Sequence, residues 1–356
     1  MESFRILGLM SGTSLDGLDI ADVVFERQNS SWYFKIINSE TIPYDNYFVE
    51  RLKGIHQLSS TKIFELNADL GNYFGRQVNR FISKHEIDKN TITAVASHGH
   101  TAFHQPNSGY TTQLGTGSEG TVITQLKWIT DFRSKDVALG GNGAPLVPIG
   151  DRDLFNDQAH AFVNLGGFSN ISYALKKEVY AFDICPVNIV LNYFSQKITN
   201  QNYDKDGNLG RKGKVDAGLL QKMNNLQYYQ LKHPKSLGVE WLSKEFFPLI
   251  DNNADLIDVL ATCYKHISEQ ISRSLNEISA KKALFTGGGA FNKYLINLIR
   301  ESYNGQVVLP DAKIIDYKEA IVFAYLGLLR LENKVNVLAS VTGASRDSCS
   351  GVIHLP

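Results

Sequence analysis

Apolar residues cluster over residues 4–9, 20–25 and 32–41, separated by short polar connections, and predict three strands in succession, the first two forming a hairpin. Leu66, Leu70, Tyr73, Phe74, Val78 and Phe81 then recur at roughly helical spacing, and residues 93–96 give a further short strand leading into Ser97-His98-Gly99-His100. The order strand, strand, strand, helix, strand returns after residue 160. Strands are predicted at 162–165, 171–175 and 179–182, a helix from Ile189, and a strand at 283–285 before Thr286-Gly287-Gly288-Gly289. Leu256, Leu260, Cys263, Ile267, Ile271 and Leu275 describe an amphipathic helix over residues 255–278 whose apolar face is core rather than chemistry. A repeated element order implies a duplicated α/β architecture.

With 356 residues the chain exceeds the usual single core, so two domains are expected, residues 1–150 and 151–356. The glycine- and proline-rich stretch 140–148 reads as a hinge or cleft-lining linker near their boundary, and the polar stretches 200–213 and 231–239 read as insertions between helices. Lys plus Arg number 36 and Asp plus Glu 36, so the basic field of a nucleic-acid or anionic-membrane binder is lacking and a small-molecule ligand is expected. No apolar stretch approaches the ~20 residues of a membrane span, and the first twelve residues do not resemble an export signal, so a cytoplasmic location is expected. Cys185, Cys263 and Cys349 are too few and scattered for a disulfide framework or zinc site.

Between the first two strands lies Gly8-Leu-Met-Ser-Gly-Thr-Ser-Leu-Asp-Gly-Leu-Asp19. Backbone N–H groups of Gly12, Thr13 and Ser14 could face an anion there, although an ordinary strand turn explains the same residues. Asn164-Leu165-Gly166-Gly167 occupies the matching place in the second half, and Gly287-Gly288-Gly289 marks a strand-to-helix junction where a phosphate or a flat ring could approach. Close helix packing explains a triple glycine equally well. Neither Gly-x-x-x-x-Gly-Lys-Ser/Thr nor Gly-x-Gly-x-x-Gly after the first strand is present, so an ATP site must be of another type.

Residues 8–19, Ser97-His-Gly99, Asp131-Phe-Arg-Ser134, Gly143-Ala-Pro-Leu-Val-Pro148, Asn164-Leu-Gly-Gly167, Phe182-Asp183, Pro234-Lys-Ser236, Asp258-Val-Leu-Ala-Thr262 and Gly287-Gly-Gly289 follow one another in an order that resembles anhydro-N-acetylmuramic acid kinases. These are sugar kinases of the actin, hexokinase and Hsp70 superfamily. The resemblance runs from Ile6 to about Ala344 and implies two duplicated actin-like (ribonuclease H-like) domains with a central nucleotide cleft. It implies ATP and Mg2+ as cofactors, and hydrolytic opening of the 1,6-anhydro bond with phosphorylation of O6 in cell-wall recycling. It also implies a homodimer. Carried over, Gly12, Thr13, Ser14, Leu15, Asp16, Gly17, Leu18 and Asp19 form the ATP phosphate loop, Gly166 and Gly167 the opposing loop, and Gly287, Gly288 and Gly289 the nucleoside-side turn.

Asp183 is the implied base; a helix N-cap is the plainer role for that residue. Arg133 is the leading sugar contact because its guanidinium fork can hold a lactyl carboxylate, with a salt bridge to Asp131 or Asp136 as the alternative. His98, His104 and Asn188 join the candidate sugar contacts, with histidines simply satisfied within the fold as the equal alternative for His98 and His104. Magnesium ligands cannot be read from spacing, because the ion keeps waters and leans on ATP oxygens; Asp16 or Asp19 would reach it through water or else cap the turn. The chain departs from the resemblance in two places. Typical members carry Thr-Gly-Pro-Gly-Asn after the aspartate where this chain has Ile184-Cys185-Pro186-Val187-Asn188, and Gln-Ile-Gly-Asp where it has Gln113-Leu114-Gly115-Thr116. A nucleotide-binding relative without catalysis, or a kinase for another sugar, are the competing expectations.

Overall fold

The N-terminal apolar runs pair along their whole length. In the computed structural model, which describes residues 2–29, 31–176, 178–251 and 254–356, β1 (Ser3–Ser11) and β2 (Leu18–Gln28) are antiparallel with Ser11 opposite Leu18, and β3 (Ser31–Ile42) is antiparallel to β2. The hairpin is longer than the apolar pattern suggests, so Leu18 and Asp19 lie within β2 and the turn is confined to residues 12–17. β4 (Ala94–Gln105) runs parallel to β1, β5 (Tyr110–Leu114) folds back on it, and β6 (Trp128–Thr130) is parallel to β4. The sequence reading ended this fourth strand at Ala96. It continues because Gly99, at φ +74°, bends it where a side chain would meet the Leu114 carbonyl oxygen at 2.7 Å. His98, His100 and His104 are therefore strand residues.

In the second half β7 (Ala161–Leu165), β8 (Phe168–Leu175) and β9 (Glu178–Pro186) are successively antiparallel, while β10 (Lys282–Thr286) is parallel to β7 and β11 (Gln306–Val308) parallel to β10. The described sheets thus read β3-β2-β1-β4-β6 and β9-β8-β7-β10-β11, with the same strand directions. This repeat is the duplicated α/β architecture implied by the element order.

Two compact units result: Met1–Leu154 with Tyr317–Pro356, and Phe155–Asp316. The sequence reading ran the second domain to residue 356; the last forty residues instead belong to the first unit. Close packing explains this. The helix Ala312–Leu331 brings the Ala320 carbonyl oxygen to within 2.0 Å of where a Gly8 side chain would begin, and its Gly327 lies against Ala96 in the same way. The C-terminal strand Val352–His354 then adds antiparallel to β6.

Each unit has its own apolar core. The helix Ser60–Lys84, capped by the Ser59 hydroxyl on Lys62 N–H, buries all six of the residues picked out by helical spacing. The helix Leu256–Glu277 is capped by Asp255 and buries Leu260, Cys263, Ile267, Ile271 and Leu275. Residues 140–143 are tied down within the first unit: Gly143 N–H donates to Asp136 Oδ2 at 2.8 Å and Asn142 N–H to the Thr342 carbonyl at 2.8 Å. Among the described residues no helix is long and apolar enough to cross a membrane.

Candidate active site

In the first unit the β1–β2 turn opens onto a cavity of about 440 Å3 lined by Met10, Ser11, Gly12, Thr13, Ser14, His98, Thr101, His104, Arg133, Ala144 and Glu319. The turn is closed by Leu15 N–H donating to the Gly12 carbonyl at 3.3 Å, and it leaves Thr13 and Ser14 exposed. Of the eight residues expected in a phosphate loop, Gly12, Thr13 and Ser14 line the cavity. Leu15 takes a left-handed conformation at φ +62°, Leu18 is core, and Asp19 accepts from the Thr41 hydroxyl at 2.6 Å. Asp16 is exposed and Gly17 is buried in packing, with Ile42 O only 2.3 Å from where its side chain would begin.

Arg133 does not pair with Asp131 or Asp136. Its Nε and Nη2 both donate to His98 Nε2, at 3.0 and 2.9 Å, and Nη1 donates to the Gly143 carbonyl at 2.6 Å. With Nε2 accepting, His98 carries its proton on Nδ1, which donates to the Gly99 carbonyl at 2.8 Å. Burial, with the Arg133 charge added, holds the His98 pKa well below its ordinary value, so the ring is neutral. Burial lowers Arg133 itself to about 10, against the attraction of Glu319 and Asp136. Glu319 reaches the cavity from the helix Ala312–Leu331, and desolvation raises its carboxyl, with Arg133 and Lys318 pulling the other way. His104 is exposed and its Nδ1 lies 3.1 Å from the Thr111 hydroxyl. Behind the turn, the Tyr44 hydroxyl donates to Ser11 Oγ at 2.6 Å, and Ser11 Oγ meets His100 Nδ1 at 2.8 Å.

In the second unit the Gly166-Gly167 turn meets the N-terminus of the helix Asn188–Thr199: the Gly167 carbonyl accepts from Val187 N–H at 2.8 Å and the Gly166 carbonyl from Asn188 N–H at 3.2 Å. Asn188 Nδ2 donates to the Leu165 carbonyl at 2.9 Å. Asn188 also joins Gly288 and Gly289 on a cavity of about 480 Å3, whose walls include Tyr203, Tyr264, Phe291 and Asn292. This places Asn188 with the third glycine turn, whereas the sequence grouped it with the sugar contacts. Asp204 organises the inserted stretch 200–213 beside this cavity, accepting from Leu209 N–H, Gly210 N–H and the Tyr264 hydroxyl at 2.9, 3.0 and 3.1 Å.

The glycines of the three turns divide into two kinds. A side chain on Gly287 would begin 2.4 Å from Asn164 Oδ1, and one on Gly289 2.8 Å from Leu165 Cβ, so packing alone demands these glycines. A Cβ on Gly167 or Gly288 would find nothing nearer than 3.9 or 3.8 Å, and one on Gly12 only its own turn's Ser14 Oγ at 3.4 Å. The open space before Gly12, Gly167 and Gly288 fits close approach by an anionic or flat ligand, so the residues present are compatible with a nucleotide. Among the described residues no group of three His, Cys, Asp or Glu gathers to hold a metal ion.

Asp183 lies within β9 and is not a helix cap, because the helix begins at Asn188 with Val187 at its cap position. Its Oδ2 accepts from Leu237 N–H at 2.9 Å; burial raises its carboxyl and this bond opposes the rise. Val187 has φ −127°, and Ile184 and Cys185 are also outside the left-handed region, so replacing glycines here puts no residue of this segment at positive φ. Glu319 and Asp204 are among the polar cavity residues that no sequence signal singled out.

Residues 4–356 match the profile of the family described as AnmK, anhydro-N-acetylmuramic acid kinase. A protein of that name from Nitrosomonas europaea is 33% identical over 362 residues, covering 98% of this chain and 99% of its own length. Another from Vibrio vulnificus (strain CMCP6) is 34% identical over 367 residues, covering 98% and 97%. Among solved structures, the activator of the 2-hydroxyisocaproyl-CoA dehydratase from Clostridium difficile with bound ADPNP superposes with a TM-score of 0.45 at 13% identity, covering 92% of this chain and 97% of that one.

Proposed function

Because the chain belongs to the anhydro-N-acetylmuramic acid kinase family, we propose that it opens the 1,6-anhydro ring of anhydro-N-acetylmuramic acid with water and phosphorylates O6, giving N-acetylmuramic acid 6-phosphate. ATP with Mg2+ supplies the phosphoryl group. The supporting observation is that the turn Gly12-Thr13-Ser14 and the Arg133 guanidinium line one cavity, groups suited to a phosphate and to a carboxylate.

In this reading Gly12, Thr13 and Ser14 offer backbone N–H and hydroxyl donors to phosphate oxygens, and within the second unit Gly167 and Gly288 leave room for close approach of a nucleotide. Arg133, oriented by His98 and the Gly143 carbonyl, turns its remaining N–H groups to the lactyl carboxylate. Asp183 takes a proton from water at Oδ1 as the water oxygen bonds to C1 and the C1–O6 electron pair leaves on O6. A carboxyl raised by burial is a better base than a solvated one, and an electrophilic anomeric carbon needs only modest base strength. A cytoplasmic location and a homodimer belong to the same reading.

The test is ATP turnover with and without anhydro-N-acetylmuramic acid, in water labelled with heavy oxygen. Sugar-dependent turnover with the label at C1 is expected. Turnover without label would point to a kinase acting on a simple hydroxyl of another sugar, and nucleotide binding without turnover to a non-catalytic relative.

A further inference from the structure

β9 is the outer strand of its sheet, so the main-chain groups on its free edge would ordinarily go to water. At Asp183 they do not. Asp183 N–H donates to the Lys235 carbonyl at 3.1 Å, and the Asp183 carbonyl accepts from the Tyr228 hydroxyl at 2.6 Å. Two residues further along, Leu237 N–H holds Oδ2 of the same aspartate at 2.9 Å. One short segment therefore grips residue 183 at its nitrogen, its carbonyl and one carboxylate oxygen, while Oδ1 has no hydrogen-bond partner among the described residues.

The segment is itself clamped to the strand. The Lys235 ammonium lies over the rings of Tyr228 and Phe182, 4.7 and 5.7 Å from their centroids, and donates to the Tyr228 carbonyl at 3.3 Å. The His233 ring stacks on Phe182 at 5.5 Å. Tyr228 is buried, and burial together with the Asp183 charge pushes its phenol up, so it remains a donor.

We propose that the segment 228–237 positions the Asp183 carboxylate, fixing Oδ2 so that Oδ1 alone is presented to the water that loses its proton. This rests on the reading of Asp183 as the base. Tyr228 and Leu237 are positioning residues that act through Asp183. The groups that bear on the carboxylate are the Leu237 N–H and the Tyr228 phenol, with the Lys235 ammonium held across the two rings.

Three variants test this, each checked for an unchanged circular dichroism spectrum. Leu237→Pro removes the N–H donor, whereas Leu237→Ala keeps it and removes only side-chain packing. With the donor gone the carboxylate loses a bond that favours its charged form, so the acid limb of the kcat/KM profile should move to higher pH and kcat should fall on the order of tenfold. Leu237→Ala should keep the wild-type acid limb. Tyr228→Phe should lower kcat by a similar factor while KM for ATP changes less than about twofold, the split expected when positioning rather than binding is lost. Wild-type kcat and acid limb in both Leu237→Pro and Tyr228→Phe would overturn the proposal, as would an equal shift in Leu237→Ala and Leu237→Pro. Asp183→Asn is run alongside: full activity there removes the base reading itself, whereas an inactive Asp183→Asn beside wild-type-like segment variants removes the positioning role alone.

Discussion

Arg133 aims two N–H groups, from Nε and Nη2, at the single acceptor Nε2 of His98. That shared bond fixes the plane of the guanidinium and, with Nη1 also donating to the Gly143 carbonyl, leaves one N–H on each of Nη1 and Nη2 for a ligand. A lysine keeps the charge but has no fork. Arg133→Lys should raise KM for the sugar on the order of 10- to 100-fold, the equivalent of a charged hydrogen bond worth about 1.5–3 kcal/mol, with a smaller change in kcat. A substrate amidated at the lactyl carboxylate should lose the same factor with the wild type and little more with the variant. If both proteins discriminate equally against the amide, Arg133 is not the carboxylate ligand.

Asp183→Asn keeps the shape of the side chain and an oxygen for the Leu237 N–H but is a far poorer base. Turnover should fall by about 10²–10⁴-fold while nucleotide binding, read by calorimetry, stays near wild type.

Three buried histidines are held neutral: His98 well below its ordinary range through burial and the Arg133 charge, His100 at about 4 and His266 at about 3 through burial. His266 shows why charging is opposed, since its Nδ1 lies 2.7 Å from Asn224 Oδ1 and its Nε2 accepts from the Tyr229 hydroxyl at 2.9 Å. An unfolded histidine titrates near 6.5, so below that pH the unfolded chain binds protons the folded chain does not. Stability is therefore full above about pH 6.5 and falls as the pH drops, by up to about 1.4 kcal/mol per pH unit for each histidine. The raised carboxyls of Asp183 and Glu319 act in the opposite sense. Melting temperatures measured between pH 7.5 and 5 should decline, and His266→Gln should flatten the slope. A level profile would contradict the neutral assignments.

Asp136 is fully buried and accepts from Gly143 N–H and from the Thr342 hydroxyl, both at 2.8 Å. Asp136→Ala leaves the Gly143 N–H unpaired and the Thr342 hydroxyl with only its 3.3 Å bond to the Leu338 carbonyl, and should cost about 2–4 kcal/mol, whereas Thr342→Val should cost about 1 kcal/mol. Denaturant unfolding measures both.

The two kinds of glycine respond differently to alanine. Gly287, at φ +79° and crowded by Asn164, should lose about 1–3 kcal/mol of stability as Gly287→Ala. Gly167→Ala has room and should unfold as the wild type does, yet raise KM for ATP several-fold because the added methyl occupies the approach. An unchanged KM would show that the ligand does not come near Gly167.

Elements whose evidence is local in the chain were legible in the sequence. A buried strand needs a continuous apolar run, and a helix packed on one side needs apolar residues at its own period, so the opening hairpin and the helix Ser60–Lys84 could be read directly. The glycine turns and Arg133 were visible for a similar reason, because few other residues can do what those positions require. The bend that carries β4 past Gly99 was missed because it depends on pairing with β5, a partner the pattern around residue 97 does not contain.

Tertiary structure decided what depends on residues distant in sequence. Gly8 looks like any strand glycine until the helix Ala312–Leu331 is laid across it, and that contact returns the C-terminal residues to the first unit and brings Glu319 to the cavity beside Arg133. Likewise nothing in Phe182-Asp183 indicates that Tyr228, Lys235 and Leu237 will take up its main chain and one carboxylate oxygen. The sequence alone determined which chemical groups this protein has, since each is a property of a residue type. Only the fold decided which of them meet, because a hydrogen bond between distant residues depends on the path of the whole intervening chain.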